Sequence, residues 1–296
     1  MSPLQHLNLL LRWDRTFGLA QAVQDAIAPG DFVLDAGCGS GLLSLLALQA
    51  GAEKVVAVDY SDLDLARKLA DENAGSDRIE FFQADLGTWD ARFERPFDVV
   101  FAMLYLNDPR RDEQASDLTY DLCDRFLAAD GRCIPDRVRY TAQLCEWPEQ
   151  DLRSRQRQWN RQVAELETRH GLRFNSLLRG VMEGPPDKEL FPLRSSAGVL
   201  DRQGARVLSS ESMFVELSYR GERNHYPETL QLTADTVGIA HGVIWRQELW
   251  YGHTLLFVNE SLGWLDQPCL VEPQEEVILT TDHHWRRTNL LMRQPR

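Results

Sequence analysis

Apolar residues change their spacing twice along this chain. Over residues 4–27 they return at helical intervals and stop at Pro29-Gly30, which predicts one or two short helices. A compact apolar run at 31–36 then predicts a strand, followed by a helix at 41–50 closed near Gly51 and a strand at 54–59. The pattern continues with a helix at 62–73, for which Ser61 is a candidate cap, and a strand at 78–83 running towards Asp85. A strand at 97–103, a helix at 113–128 and a turn at Asp130-Gly131 complete the alternation. Strands separated by helices predict a doubly wound α/β layer. Near Pro135 the period drops towards two. Residues 137–146 alternate as a strand, 148–169 read as a polar exposed helix, and 181–204 as a loop or crossing. Short β-like runs lie at 174–180, 205–209, 213–219, 227–233, 243–250, 254–259, 276–281 and 287–292, with a turn at Gly263. They predict a second, mostly antiparallel β unit.

Composition narrows the class. With 296 residues, 43% hydrophobic and 26% charged, the chain reads as soluble and globular, with room for two domains. Its formal charge of −13 disfavours nucleic acid or an anionic membrane as partner and weakly favours a cationic substrate. No apolar run reaches membrane-span length, and the N-terminus lacks a basic start and cleavage site, so the expected location is cytoplasmic. The five cysteines include no CxxC pair, and the histidines show no ligand spacing, so no metal site is expected.

Residues 33–41, VLDAGCGSG, carry the chemistry. Gly37 turns the chain off the strand, Gly39 lets backbone approach a ligand, and Gly41 permits close packing where the helix begins. Asp59 ends the next strand, placed to accept from two ribose hydroxyls, with Tyr60 beside it. Asp85 ends the third, placed to meet an adenine amino group. Asp35 either orients the glycine loop or meets the ligand's amino group. The spacing is GxGxG, with Leu at position 42, which favours S-adenosylmethionine (SAM) over a nicotinamide dinucleotide.

On these residues the chain resembles the protein arginine methyltransferase family. VLDAGCGSGLLSLLALQAGAEKVVAVDYS is similar to that family's nucleotide-binding segment, FLAADGRCIPD to its exit into a barrel, and HGLRFNSL to a barrel segment. His283-His284-Trp285 resembles its terminal THW loop. His6 and Arg15 keep the separation of its N-terminal His and Arg, which implies that Arg15 holds the SAM carboxylate and His6 lies at the cofactor. Arg12 stands where the family has an Asp, and Leu19 near the place of a Tyr. The resemblance implies short N-terminal helices (1–28), a Rossmann-like SAM-binding domain (29–134) and an antiparallel β-barrel-like domain (135–296). It also implies a homodimer, for which 148–169 is the candidate arm.

The acceptor loop departs from that family's pattern of two glutamates. Met103 falls where the first Glu belongs and is taken to line the cofactor, and the glycine between the acids is gone. Glu113 or Asp112 is placed to stand for the second Glu, and Asp108 for the first with altered geometry. Arginine methylation needs two acids to offset a buried guanidinium, so the expected acceptor is a small-molecule or peptide nucleophile, with natural-product chemistry one setting. An arginine or arginine-derivative enzyme with a rebuilt acid pair is the first alternative, and an inactive SAM-binding interaction protein the second. His283 or His284 is the candidate base, Trp285 a wall able to stack on a cation, and Tyr105 a further substrate contact.

Overall fold

The computed structural model describes residues 3–73, 75, 77–105, 109–147, 164, 168, 200, 202, 205–280 and 291–293. Two helices come first, α1 (Pro3–Leu10) and α2 (Trp13–Ala26). They are separated at Leu11-Arg12, where Thr16 donates its hydroxyl to the Leu10 carbonyl at 2.8 Å. On α2, Leu19 and Val23 are fully buried. Each contributes on the order of 1.5–3 kcal/mol by leaving water.

A parallel sheet follows. Strands β1 (Phe32–Ala36), β2 (Lys54–Asp59), β3 (Ile79–Gln83), β4 (Phe97–Ala102) and β5 (Leu127–Ile134) lie in the order β3-β2-β1-β4-β5. Every residue of β1 is buried, as is every residue of β2 except Lys54, as expected of parallel strands covered on both faces. Helices α3 (Leu42–Ala50), α4 (Asp64–Glu72) and α5 (Pro109–Phe126) connect them. One face packs an aromatic cluster in which Phe32 stacks on Phe97 at 4.4 Å and Phe93 meets Phe97 at 4.9 Å. The strand order reverses between β1 and β4, which opens a crevice at their C-terminal ends.

Two details differ from the sequence reading. Ser61 does not cap α4. Its backbone N–H donates to Asp59, while the Asp62 carboxylate accepts from the Asp64 N–H at 2.9 Å. Residues 127–134, read as a helix end and a turn, form edge strand β5. Asp130-Gly131 is absorbed as a bulge, because Phe97 pairs with Leu127 and Val99 with Arg132.

The chain then builds antiparallel sheets. Strands β6 (Arg137–Glu146), β7 (Arg206–Val207), β8 (Ser212–Ser218), β10 (Gly238–Tyr251) and β11 (Thr254–Val271) form a curled, half-barrel sheet, ordered β11-β10-β6-β7 with β8 also on β6. Strands β9 (Thr229–Thr233), β12 (Glu276–Thr280) and β13 (Leu291–Arg293) form a smaller one. The fold is therefore a Rossmann-like α/β layer with short N-terminal helices, followed by an antiparallel barrel-like unit. Gly263 makes no turn. It lies within β11 opposite Val243, and a Cβ on Gly242 would sit 2.6 Å from the Gly263 carbonyl, so glycines permit this close strand approach.

The N-terminal helices bind the two units together. A Cβ on Gly18 of α2 would lie 1.9 Å from the Leu256 carbonyl of β11, so only glycine lets the helix settle on that strand. Of the expected arm only Ala164 and Thr168 are described, both helical, and the expected strand at 174–180 lies outside the described residues.

Candidate functional site

The crevice between β1 and β4 is lined first by backbone. Gly37, Gly39 and Gly41 hold φ of +76°, +55° and +78°, the left-handed region that side-chain-bearing residues rarely adopt. A Cβ on Gly37 would lie 2.6 Å from Leu104, just past β4. A Cβ on Gly39 would lie 3.2 Å from the His6 ring, so α1 reaches over the loop. His6 is partly buried, and burial lowers its pKa, which favours the neutral ring.

Two carboxylates fix the loop from below. Asp59 accepts from the Gly39 N–H at 2.9 Å and the Ser61 N–H at 2.8 Å, which leaves each oxygen a second lone pair for a ligand hydroxyl. Asp35, 1% exposed, accepts from the Ser44 N–H at 3.1 Å and the Ser44 hydroxyl at 2.6 Å. Because Gly41 has no side chain to cap α3, Asp35 satisfies one of that helix's unpaired N–H groups from the neighbouring strand. Burial raises the Asp35 pKa to about 6, against the pull of its two Ser44 hydrogen bonds. Burial also drives the Cys38 thiol far up, so this loop cysteine stays protonated. Asp85 is exposed and accepts from the Gly87 N–H at 2.9 Å. It shares an edge with Asp59, because Asp59 pairs with Gln83 across β2 and β3. Tyr60, 77% exposed, stands on that edge.

Arg15 lies with its guanidinium 5.6 Å from the Phe257 ring centre, and Arg12 lies 5.5 Å from the same ring. Burial, then the charge of Arg12, lowers the Arg15 pKa to about 10, so it remains cationic at neutral pH. Among the described residues no hydrogen-bond acceptor pairs with the Arg15 guanidinium. A partly buried cation on α2, the helix that follows α1, suits a ligand carboxylate. Glycine cradle, edge acids and unpaired cation thus match the parts of SAM: a nucleoside at one end and a charged amino acid at the other.

The acceptor side is built from side chains. Met103 is partly buried against the main core and Leu104 overlies Gly37, so the start of this loop is apolar. Asp112, on α5, is fully buried. Its Oδ2 accepts from the Tyr140 hydroxyl at 2.6 Å and from Gln247 Nε2 at 2.9 Å. Gln247 Oε1 accepts from Asn259 Nδ2 at 2.7 Å, and Asn259 Oδ1 accepts from Arg12 at 2.7 Å. Gln247 and Asn259 are also buried. Removing one member breaks at least one buried hydrogen bond, at a net cost of about 0.5–1.5 kcal/mol or more. Tyr105 hydrogen-bonds Tyr219 through their hydroxyls and lies 3.4 Å from Thr119 Oγ1. Ser116 lies 3.4 Å from the Tyr226 hydroxyl. Burial pushes Tyr105, Tyr140 and Tyr226 well above the usual phenol pKa, so all three act as neutral hydroxyls. Glu113, the next residue after Asp112, is partly exposed.

The structure therefore groups His6, Gly37, Gly39, Gly41 and Asp59 at one crevice, with Asp35 behind it and Asp85 and Tyr60 along its edge. Asp112 is held between α5 and the curled antiparallel sheet, and Tyr105 joins a tyrosine cluster with Tyr219. Asp108, His283, His284 and Trp285 lie outside the described residues. Sequence reasoning missed Arg12, Tyr140, Gln247 and Asn259. Their signal was a polar residue at one level of three neighbouring strands, visible only once the register is known: Gln247 pairs with Tyr140 and with Asn259. Among the described residues no cluster of His, Cys, Asp or Glu could hold a metal, and no helix is long and apolar enough to cross a membrane.

Residues 33–129 match the family model described as a methyltransferase domain. A protein arginine N-methyltransferase PRMT10 from Oryza sativa subsp. japonica is 31% identical over 156 residues, 51% of this chain and 40% of that protein. A ribosomal protein L11 methyltransferase from Caldanaerobacter subterraneus is 42% identical over 69 residues, 22% of each chain. The matched segment thus spans less than half of either relative's length. The fold is similar to that of Arabidopsis thaliana protein arginine methyltransferase 10, with a TM-score of 0.64 and 18% identity, covering 96% of this chain and 90% of that one.

Proposed function

We propose that this chain, which belongs to the arginine-methyltransferase-like class I family, is a SAM-dependent methyltransferase acting on the guanidinium of arginine or an arginine derivative. The observation that carries the reading is the glycine-lined, acid-edged crevice at the sheet's switch point, with the unpaired cation Arg15 on the helices that cover it. The names of the similar proteins support arginine as acceptor.

When bound, SAM supplies an electrophilic methyl group on a sulfonium. The residues of this chain do the rest. Asp59 receives the ribose hydroxyls, Asp85 the adenine amino group and Arg15 the carboxylate, while Gly37 and Gly39 allow backbone approach. Met103 and Leu104 exclude water beside the methyl donor, where charge is dispersed as transfer proceeds. Glu113 holds the acceptor cation and aims one nitrogen in line with the methyl group, roughly 3 Å away. His283 or His284 is the proposed acceptor of the proton released.

A second reading, transfer to another small-molecule or peptide nucleophile, is favoured by the apolar Met103 and Leu104 where the first acid would stand. Labelled SAM offered with arginine, agmatine, Arg-containing peptides and metabolite extracts separates the two. A labelled guanidinium product supports the first reading, and label only in products without a guanidinium supports the second. Transfer to none of them contradicts both. With a guanidinium acceptor, Glu113→Gln lowers kcat about 100-fold while S-adenosylhomocysteine (SAH) affinity stays within about twofold, because this acid meets the acceptor rather than the cofactor.

The proposal extends to a homodimer. Trp13 and Phe17 stack at 5.7 Å on α2 and remain 59% and 65% exposed, an apolar pair that a second copy would cover. Sedimentation equilibrium checks this: the wild type runs as a dimer and Trp13→Ser/Phe17→Ser shifts towards monomer, whereas a monomeric wild type contradicts it.

A further inference from the structure

The polar residues between Arg12 and Asp112 run in one direction. Arg12 can only donate, so it makes Asn259 Oδ1 an acceptor and turns Asn259 Nδ2 towards Gln247 Oε1. That turns Gln247 Nε2 towards Asp112 Oδ2, which accepts from it. A cation at one end and a carboxylate at the other thus fix two amides that could otherwise flip. The two ends belong to different machinery. Arg12 opens α2, directly after α1, whose His6 lies over the glycine loop. Asp112 sits on α5 immediately before Glu113. The middle belongs to the barrel, where Asn259, Gln247 and Tyr140 form one rung across β11, β10 and β6. All four groups from Asn259 to Tyr140 and Asp112 are nearly or wholly buried, so water does not substitute for a lost partner.

We infer that this rung couples the helices covering the cofactor crevice to the acceptor helix α5, with Gln247 as its positioning residue. Seating α1–α2 over the cofactor then sets the placement of Asp112 and, with it, Glu113. By reciprocity, fixing α5 favours the seating of α1–α2 over the crevice. The cofactor half of the inference rests on the reading proposed above. The coupling between helices does not, and its first readout needs no ligand.

Amide hydrogen exchange on the full-length chain tests the coupling. Asp112→Asn removes the carboxylate that orients the rung and changes nothing on α1 or α2. It should raise exchange over residues 6–17 about 10-fold while α4 exchanges as in the wild type. Should that variant fail to fold, Gln247→Met, similar in length and without an amide, should do the same. Asn259→Asp keeps an acceptor for Arg12 but loses the donor to Gln247. In that background Asp112→Asn should no longer change exchange over residues 6–17. In calorimetry Gln247→Met should weaken SAH about 10-fold, although Gln247 lies outside the crevice. Exchange over residues 6–17 equal to wild type in a folded Asp112→Asn or Gln247→Met chain overturns the inference. So does an increase that spreads equally to α4, which marks global loosening. A wild type that does not bind SAH sinks the methyltransferase reading, and the exchange comparison alone then decides the coupling.

Discussion

The two sides of the crevice are specified by different means. On the cofactor side the groups are backbone or near neighbours in sequence: three glycines within five residues, Asp35 two residues ahead of them, and Asp59 holding the Gly39 N–H. On the acceptor side the groups come from positions 12, 112, 140, 247 and 259, and each is fixed by a partner far away in the chain. A backbone cradle is most sensitive at its glycines. A side-chain rung loses a buried hydrogen bond whichever member is changed.

The comparison is broken most severely at Gly39. Valine there must adopt a left-handed backbone at φ +55° and meet the His6 ring 3.2 Å from its Cβ. Calorimetry should show SAH binding weakened by at least about 100-fold, with the fold retained by circular dichroism. Next in size is Arg15→Met. It keeps the stem over Phe257 but removes the cation, so SAH should bind about 10- to 100-fold more weakly, the scale of one charge-assisted pair. Decarboxylated SAM, which lacks the carboxylate, should be indifferent to the same change.

The smallest effect concerns pH. Asp35 is raised by burial to about 6, above an unfolded value of about 4. The folded state therefore holds this proton more tightly than the unfolded one. Its contribution to stability is fully present below about pH 4 and is lost as pH rises to about 6. Asp35→Asn does not titrate. Urea unfolding at pH 4 and at pH 7 should show the wild type losing on the order of 2 kcal/mol relative to the variant between them. A difference independent of pH would mean that folding does not raise the Asp35 pKa.

This contrast explains what could be read before the fold was known. Local periodicity located β1, α3, β2 and β4 closely, because parallel strands buried on both faces are continuous apolar runs. Glycine spacing located the crevice. Strand β5 was hidden because Asp130-Gly131 has the form of a turn and is used as a bulge. Strand β11 was cut short at Gly263, where glycine serves a close strand approach. The rung was hidden because nothing in the sequence pairs Gln247 with Tyr140 and Asn259 until the strand register is known. Asp112 illustrates the cost. By sequence it is an acid beside Glu113 with equal claim on a substrate, and only the fold encloses it between Tyr140 and Gln247.

Isothermal titration of the purified chain with SAH tests the central claim most directly. A single site, lost in Gly39→Val and insensitive to Glu113→Gln, is the predicted result. No heat of binding with either SAH or SAM, or equal affinity in Gly39→Val, would contradict it.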